Sequence, residues 1–230
     1  MKICVIPARG GSKRIPKKNI KDFCGQPIIA YSIQAAQKTE LFDHIVVSTD
    51  DDAIAKIARS YGAETPFRRP AEISDDHTGT NAVLKHAILW FQENGTPVNL
   101  ACCIYATAPF VREDYLQLGH DKLIRSNKSF SFSVTSFPFP IQRALKITQD
   151  GELSAFYPEF NKTRSQDLEE AYHDAGQFYW GYTEAFLQER ELFSNQSIPV
   201  LLPRHLVQDI DTLEDWIRAE YMYKAIYGNI

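Results

Sequence analysis

The sequence predicts one α/β domain of three-layer α/β/α, Rossmann-like architecture. In it a mainly parallel sheet carries helices on both faces, and residues 137–173 form an extended dimerisation insertion. Three observations support this. Short apolar runs alternate with amphipathic helical stretches up to Ser126. The rhythm breaks between Phe137 and His173, where aromatic-rich extended sequence takes over, and resumes at Ala175. A chain of 230 residues is also long for one domain and short for two, which suits one domain, 1–230, with an insertion.

Taken in order, Ile3 to Ile6 reads as a buried strand that stops at Pro7. Pro27 to Lys38 follows as a helix with Ile29, Ile33 and Ala36 on one side. His44 to Thr49 is a second buried strand, and Asp51 or Asp52 suits the start of the next helix. There Ile54, Ile57, Ala58 and Tyr61 make an apolar stripe that Gly62 ends. Ala63 to Phe67 suggests a short third strand. Thr80 or Asn81 is placed to cap a helix whose stripe is Leu84, Ala87, Ile88 and Phe91. Val98 to Tyr105 is the most apolar strand, expected near the centre of the sheet, and a helix over Arg112 to Ser126 follows it.

Phe130 to Phe137 alternates large apolar residues with serine and threonine, a period-2 strand with one polar face. Phe139 to Thr148 and Ala155 to Pro158 read as extended, with Asp150-Gly151 as a hairpin turn, and Asn161 to Glu170 as a loop. An aromatic-rich insertion of this kind suits a dimer surface. Ala175 to Tyr182 is again a core strand, Thr183 to Arg190 a short helix and Ile198 to Leu202 a last strand. Thr212 caps the final helix, with Trp216, Ala219, Tyr223 and Ile226 facing inward.

Bulk properties narrow the function. The net charge of −4 disfavours a general nucleic-acid binder, and the 44% hydrophobic content is enough for a substantial core. Cys4, Cys24, Cys102 and Cys103 lack metal-binding spacing, and three of them lie inside apolar strands. No apolar run approaches the ~18 residues of a membrane span, and no signal peptide is visible, so a cytoplasmic protein without a membrane partner is expected.

In sheets of this type ligands bind beyond the carboxyl ends of the strands. Three loops therefore become candidates for one pocket: Ala8–Asn19, Asp50–Asp52 and Ala106–Pro109. The first is the most informative. Arg9, Gly10, Gly11, Ser12, Lys13 and Lys18 combine two glycines able to take φ > 0 with a hydroxyl and three cations, a composition that fits a polyphosphate. The GxxxxGK[ST] and GxGxxG spacings are both absent. Near the other end, Asp209 and Asp211 lie two apart, so an extended backbone directs both carboxylates to one side and Ile210 to the core. Two close carboxylates repel unless a cation holds them, and Mg²⁺, shared with substrate phosphates, is the natural partner.

The stretch ARGGSKRIPKKN resembles the N-terminal signature of the sugar-activating cytidylyltransferases, which make CMP-linked acidic sugars from CTP. The resemblance extends over nearly the whole chain. It implies nucleotide contacts from Ala8, Arg9, Gly10, Gly11, Ser12, Lys13, Lys18 and Asn19, and base recognition by Arg69 and Thr80 within RRPAEI and TGT. It makes Asp209 and Asp211 the metal ligands, with Lys18 and Asp211 as the catalytic pair. For the sugar it implies Arg164, reaching across a homodimer, with Gln166 as a possible partner in that role. Tyr105, Thr107, Gln177 and Tyr179 would line the sugar pocket, and Leu192 and Phe193 would form its apolar wall. Arginine suits the task because a guanidinium grips a carboxylate bidentately.

Departures narrow the specificity. Where neuraminate enzymes carry a QPTSP-type loop and an Asn-Gly pair, this chain has Tyr105-Ala106-Thr107-Ala108-Pro109 and Ala175-Gly176. YATAPF with HDAGQFYWG resembles the pseudaminic branch instead. The implied reaction joins CTP to an acidic nine-carbon sugar and releases pyrophosphate. Neuraminic, legionaminic and 3-deoxy-octulosonic acids are alternative acceptors. A non-catalytic nucleotide-binding module is the alternative outside enzymes, and it would not require the Asp209/Asp211 pair.

Overall fold

A computed structural model describes residues Met1–Gly228. The strands are β1 (Lys2–Pro7), β2 (Asp22–Phe23), β3 (Gln26–Pro27), β4 (His44–Ser48), β5 (Leu100–Ile104), β6 (Phe130–Ser136), β7 (Leu145–Ile147), β8 (Leu153–Ala155), β9 (Tyr172–Tyr182) and β10 (Ser197–Leu201). The α-helices are α1 (Ile28–Lys38), α2 (Asp52–Ser60), α3 (Thr80–Glu93), α4 (Glu113–Ile124), α5 (Thr183–Leu187) and α6 (Leu213–Tyr227).

Six strands form the main sheet in the order β10-β6-β9-β5-β1-β4. All run parallel except β9, which is antiparallel to both β5 and β6. The apolar run around Leu100–Ile104 does lie at the centre of the sheet, since every residue of β5 is buried. Helices α1, α2 and α4 cover one face, where Ile33, Ala58 and Leu116 join one core cluster. Helices α3 and α5 cover the other, with Leu84, Ile88 and Phe186. The predicted three layers are present.

Several sequence expectations need correction. Ala63 to Phe67 makes one bridge, Glu64 with Val46, and no strand. Gly79, with extended backbone, is the cap of α3; Thr80 is its first helical residue. The polar side of β6 is buried, and the Ser133 and Thr135 hydroxyls donate to the carbonyls of Phe178 in β9 and of Leu202 just after β10. The hairpin strands are shorter than read, β7 and β8 turning around Gly151 at φ +82°. Ile226 is exposed, whereas Trp216 and Ala219 are buried as expected. Thr212 caps α6 as predicted, in a reciprocal capping box with Asp215.

A third cluster lies off the sheet and sets up the site. Ile15, Phe23, Ile28, Leu206, Ile210 and Trp216 pack together, and Phe23 meets Trp216 edge-on at 5.5 Å. Burying Ile15 with Ile210 ties the loop after β1 to the segment before α6. Among the described residues no helix is long and apolar enough to cross a membrane.

Candidate active site

The loop after β1 is held by the core beneath it. Ala8 is fully buried, and its amide donates to the Ser48 carbonyl at 2.9 Å. The Asn19 amide nitrogen donates to the Arg9 carbonyl at 2.9 Å, so this buried side chain braces the loop from inside. The Gly10 amide donates to Asp50 Oδ1 at 2.9 Å. Neither Gly10 nor Gly11 takes a positive φ; the left-handed residue is Lys17, at φ 54°. Gly10 is needed for space instead, since a Cβ there would stand 2.9 Å from the Asp51 side chain. Asp50 and Asp51 thus support the loop rather than line the cleft, which departs from the three-loop pocket read in the sequence.

Arg9, Ser12, Lys13, Arg14, Lys18, Arg69, Thr80, Tyr105, Thr107 and Asp211 line one cleft of about 320 Å³. Across it, Lys18 Nζ donates to the Ile210 carbonyl at 2.6 Å and lies 3.4 Å from Asp211 Oδ1. Arg14 holds the other oxygen of Asp211 at 3.1 Å. Residues about 190 positions apart in sequence therefore face each other, as the burial of Ile15 and Ile210 in one core cluster dictates. Ile210 points into the core, leaving Asp209 and Asp211 on the outer side of the segment. Asp211 reaches the cleft and Asp209 stands just outside its lining. Desolvation, and then the charge of Asp211, push the Asp209 carboxyl upward from its ordinary value.

Arg69 is 5% exposed. It donates from Nε to the Ser48 hydroxyl at 3.1 Å and from Nη2 to the Ser48 carbonyl. Burial lowers it to about 10, so it stays protonated at neutral pH. Two features went unread in the sequence. Asp76 pairs with both Arg9 and Lys13, whose hydrogen bonds hold its carboxyl at about 2. Arg14 is the second cation on Asp211. The acidic doublet Asp75-Asp76 was a visible signal, but nothing local says which cations it meets.

A second cavity of about 510 Å³ adjoins the first, and Thr80 and Tyr105 line both. Their hydroxyls are 3.3 Å apart. Tyr179, Leu192 and Phe193 line this second cavity. The Tyr179 hydroxyl donates to Asp174 Oδ2 at 2.5 Å, and burial drives its pKa far up. Phe193 is 65% exposed at the rim, edge-on to Phe132 at 5.5 Å. Gln177 reaches neither cavity: it is buried, and its amide donates to the Leu206 carbonyl. Arg164 and Gln166 lie out on the insertion, with Arg164 paired to Asp167 at 2.7 Å, and the chain does not bring them to its own clefts.

The donor chemistry of this site fits a nucleoside triphosphate and a hard cation. Arg9, Lys13, Arg14, Lys18 and Arg69 bring positive charge to the cleft, and Asp76 and Asp211 bring carboxylate oxygens that pair with four of them. Among the described residues no three His, Cys, Asp or Glu side chains converge as a metal cage. Two carboxylates with substrate phosphates are the set Mg²⁺ usually accepts, since it keeps several waters.

Known proteins resemble the chain at every level. A family model described as cytidylyltransferase matches residues 3–215. A pseudaminic acid cytidylyltransferase of Campylobacter jejuni is 45% identical, over 97% of this chain and 96% of its own. A CMP-N,N'-diacetyllegionaminic acid synthase of Legionella pneumophila is 29% identical over 95% and 94%. A solved CMP:2-keto-3-deoxy-manno-octonic acid synthetase complexed with CTP has TM-score 0.70 at 14% identity, covering 98% of this chain and 99% of that one, which supports the fold. This chain belongs to the cytidylyltransferase family.

Proposed function

We propose that this member of the cytidylyltransferase family transfers CMP from CTP to the anomeric hydroxyl of pseudaminic acid, giving CMP-pseudaminic acid and pyrophosphate. The observation that carries the proposal is the single cleft in which Arg9, Ser12, Lys13 and Lys18 face Asp211. The 45% identity to a pseudaminic acid cytidylyltransferase along nearly all of both chains supports the choice of sugar.

Such transfers depend on positioning and charge neutralisation more than on covalent work by side chains. Arg9, Ser12 and Lys13 hold the β- and γ-phosphates once the triphosphate displaces Asp76 from the two cations. Lys18, only 21% exposed and already aimed across the cleft, stabilises charge on the α-phosphate. Arg69 is buried beside the cleft and donates to the cytosine O2 and N3 acceptors, with Thr80 beside it. Thr107 completes the wall, and the acceptor sugar occupies the second cavity, meeting the nucleotide at Tyr105. Asp209 and Asp211 would hold Mg²⁺, which when bound would supply positive charge to the phosphate and the attacking hydroxyl. The raised Asp209 carboxyl fits this role, because a bound cation would offset its desolvation first and then the repulsion from Asp211.

The reaction runs in the cytoplasm, where CTP is available. A second copy of the chain completes the sugar site. Phe139, Ile147 and Leu153 on the insertion are 77%, 75% and 71% exposed, an apolar surface that a partner subunit buries. The partner then supplies Arg164, with Gln166 beside it, to the sugar carboxylate.

The test is pyrophosphate release from CTP and Mg²⁺ with a panel of acidic nine-carbon sugars and 3-deoxy-octulosonic acid. Release with pseudaminic acid well above the rest is expected. Preferential turnover of another acid would reassign the acceptor, and none with any of them would leave a nucleotide-binding module.

A further inference from the structure

Strand β9 carries an irregularity that aims a carboxylate into the cavity proposed for the sugar. Asp174 and Tyr179 are five residues apart, an odd spacing that puts side chains on opposite faces of a regular strand. The pairing of β6 with β9 slips between Phe132 and Val134, however, and Gly176 takes φ +62° in the stretch of β9 opposite. Such a slip re-aims side chains, and here both residues line the same cavity. The Tyr179 hydroxyl donates to Asp174 Oδ2 at 2.5 Å, and the Gly176 amide donates to Oδ1 at 2.9 Å. Each oxygen is thus fixed by one neutral donor. Among the described residues no Lys, Arg or His forms an ion pair with Asp174. The other charged side chains of the cavity are engaged elsewhere, Glu189 with Lys85 at 2.7 Å and Arg190 with Ser129 and Gln188. Tyr179 also ties Asp174 to the first cleft: its ring is 5.3 Å from that of Tyr105, whose hydroxyl is 3.3 Å from Thr80. Asp174 therefore stands one tyrosine away from Tyr105, which lines both the first cleft and this cavity.

We infer that Asp174 orients the acceptor sugar, taking a hydrogen bond from one of its O–H or N–H groups while keeping the sugar's own carboxylate away. The inference rests on the reaction proposed above. An ionised carboxylate only accepts, at about four lone-pair sites, and the protein supplies one donor to each oxygen here. A sugar that fills the cavity displaces water from the remaining sites. An apolar group placed against them would leave charged acceptors unpaired, so the group that meets Asp174 has to be a donor. Charge adds a second constraint. Leu84, Phe130 and Phe186 line the same cavity, so an anion turned toward Asp174 would meet its charge with little screening. A sugar acid therefore binds with its carboxylate directed away from Asp174 and a hydroxyl or amide N–H directed at it.

The test measures the KM of sugar and of CTP for wild type, Asp174→Asn, Tyr179→Phe and the double variant. Wild type and Asp174→Asn are also compared on sugars methylated at one hydroxyl or at one amide nitrogen. Asparagine keeps an oxygen for the Gly176 amide, so the melting temperature of Asp174→Asn should stay close to wild type. Its sugar KM should rise about tenfold, the size typical of one charged hydrogen bond, with the KM of CTP changed by less than about twofold. In the Tyr179→Phe background, Asp174→Asn should still raise the sugar KM at least about threefold, because its contact with the sugar is direct. One methylated sugar should bind wild type about tenfold more weakly than its parent and bind Asp174→Asn no more weakly, and whether it is the O-methyl or the N-methyl sugar identifies the donor. No effect of Asp174→Asn in the Tyr179→Phe background would overturn the inference, since Asp174 would then act only through Tyr179. A lower sugar KM in Asp174→Asn would overturn it too, the sign of a carboxylate that only repels, as would a series in which every methylation weakens both enzymes alike. No pyrophosphate release by wild type with any acidic sugar would instead defeat the proposed reaction, and this inference with it.

Discussion

The cleft proposed for the nucleotide and the insertion are built on opposite physical principles. In the cleft, Lys18 and Asp211 meet because Ile15 and Ile210, a few residues away from each, are buried in one cluster with Phe23 and Trp216. Functional side chains there stand on a core that exists in a single chain. On the insertion, β7 and β8 form a hairpin whose large apolar side chains are mostly exposed, and Arg164 finds only Asp167, three residues on. One region is finished by folding, the other, in the proposed dimer, by association. Variants should therefore divide into those that remove chemistry while leaving assembly intact, and those that remove assembly and, with it, sugar recognition.

The largest effect should come from Asp211→Ala. Turnover is expected to fall by at least about a thousandfold, with little change in melting temperature, because the loss is of charge stabilisation in the cleft. Lys18→Ala should follow, with kcat down by about a hundredfold. Steady-state pyrophosphate release beside a thermal melt checks both, and wild-type rates in either variant would break the contrast from the side of the cleft.

On the insertion, Ile147→Asp places a charge on a side chain that is 75% exposed in one chain and buried in the proposed dimer. Sedimentation should then show a monomer with an intact fold. A variant that stays dimeric would show that the hairpin is not the interface. Arg164→Ala should leave the dimer alone and raise the KM of the sugar by about tenfold, with the KM of CTP unchanged. If both constants rise together, Arg164 braces the loop rather than binding substrate.

The smallest effect concerns Asp76, whose carboxyl is held near 2 by Lys13 and Arg9. A depressed carboxylate adds stability that is present above the unfolded value and fades as pH falls through the folded one. The melting difference between wild type and Asp76→Asn should therefore be small, constant from pH 6 to pH 9, and vanish as the pH falls through about 2. A difference that changes around neutrality would implicate another group.

Much of the fold could be read from the sequence because its signals are local. The apolar run Ile3–Ile6, the stripe in α2 with Asp51 at its cap and the Thr212 capping box each depend on a few adjacent residues. The pairing of β9 against its neighbours was not legible, since strand direction is decided by the sheet and not by the run HDAGQFYWGY. Nor was the fate of Ser133 and Thr135 on the polar face of β6, whose hydroxyls donate to the Phe178 and Leu202 carbonyls. In the site, the charge pattern pointed to the loop and to the acidic pair. It could not show that Gln177 turns into the core, that Gly10 is required for its lack of a Cβ, or that Asp76 sits on Arg9 and Lys13. Each of these depends on a contact between distant segments.

The most direct test of the central claim is a crystal structure of the protein with CTP and Mg²⁺. The account predicts the triphosphate between the loop after β1 and the segment before α6, with Lys18 and Asp211 on opposite sides of the same phosphate groups and Asp76 released from Arg9 and Lys13. A triphosphate bound outside that cleft, or one touching the cationic loop with Asp211 turned away, would contradict it.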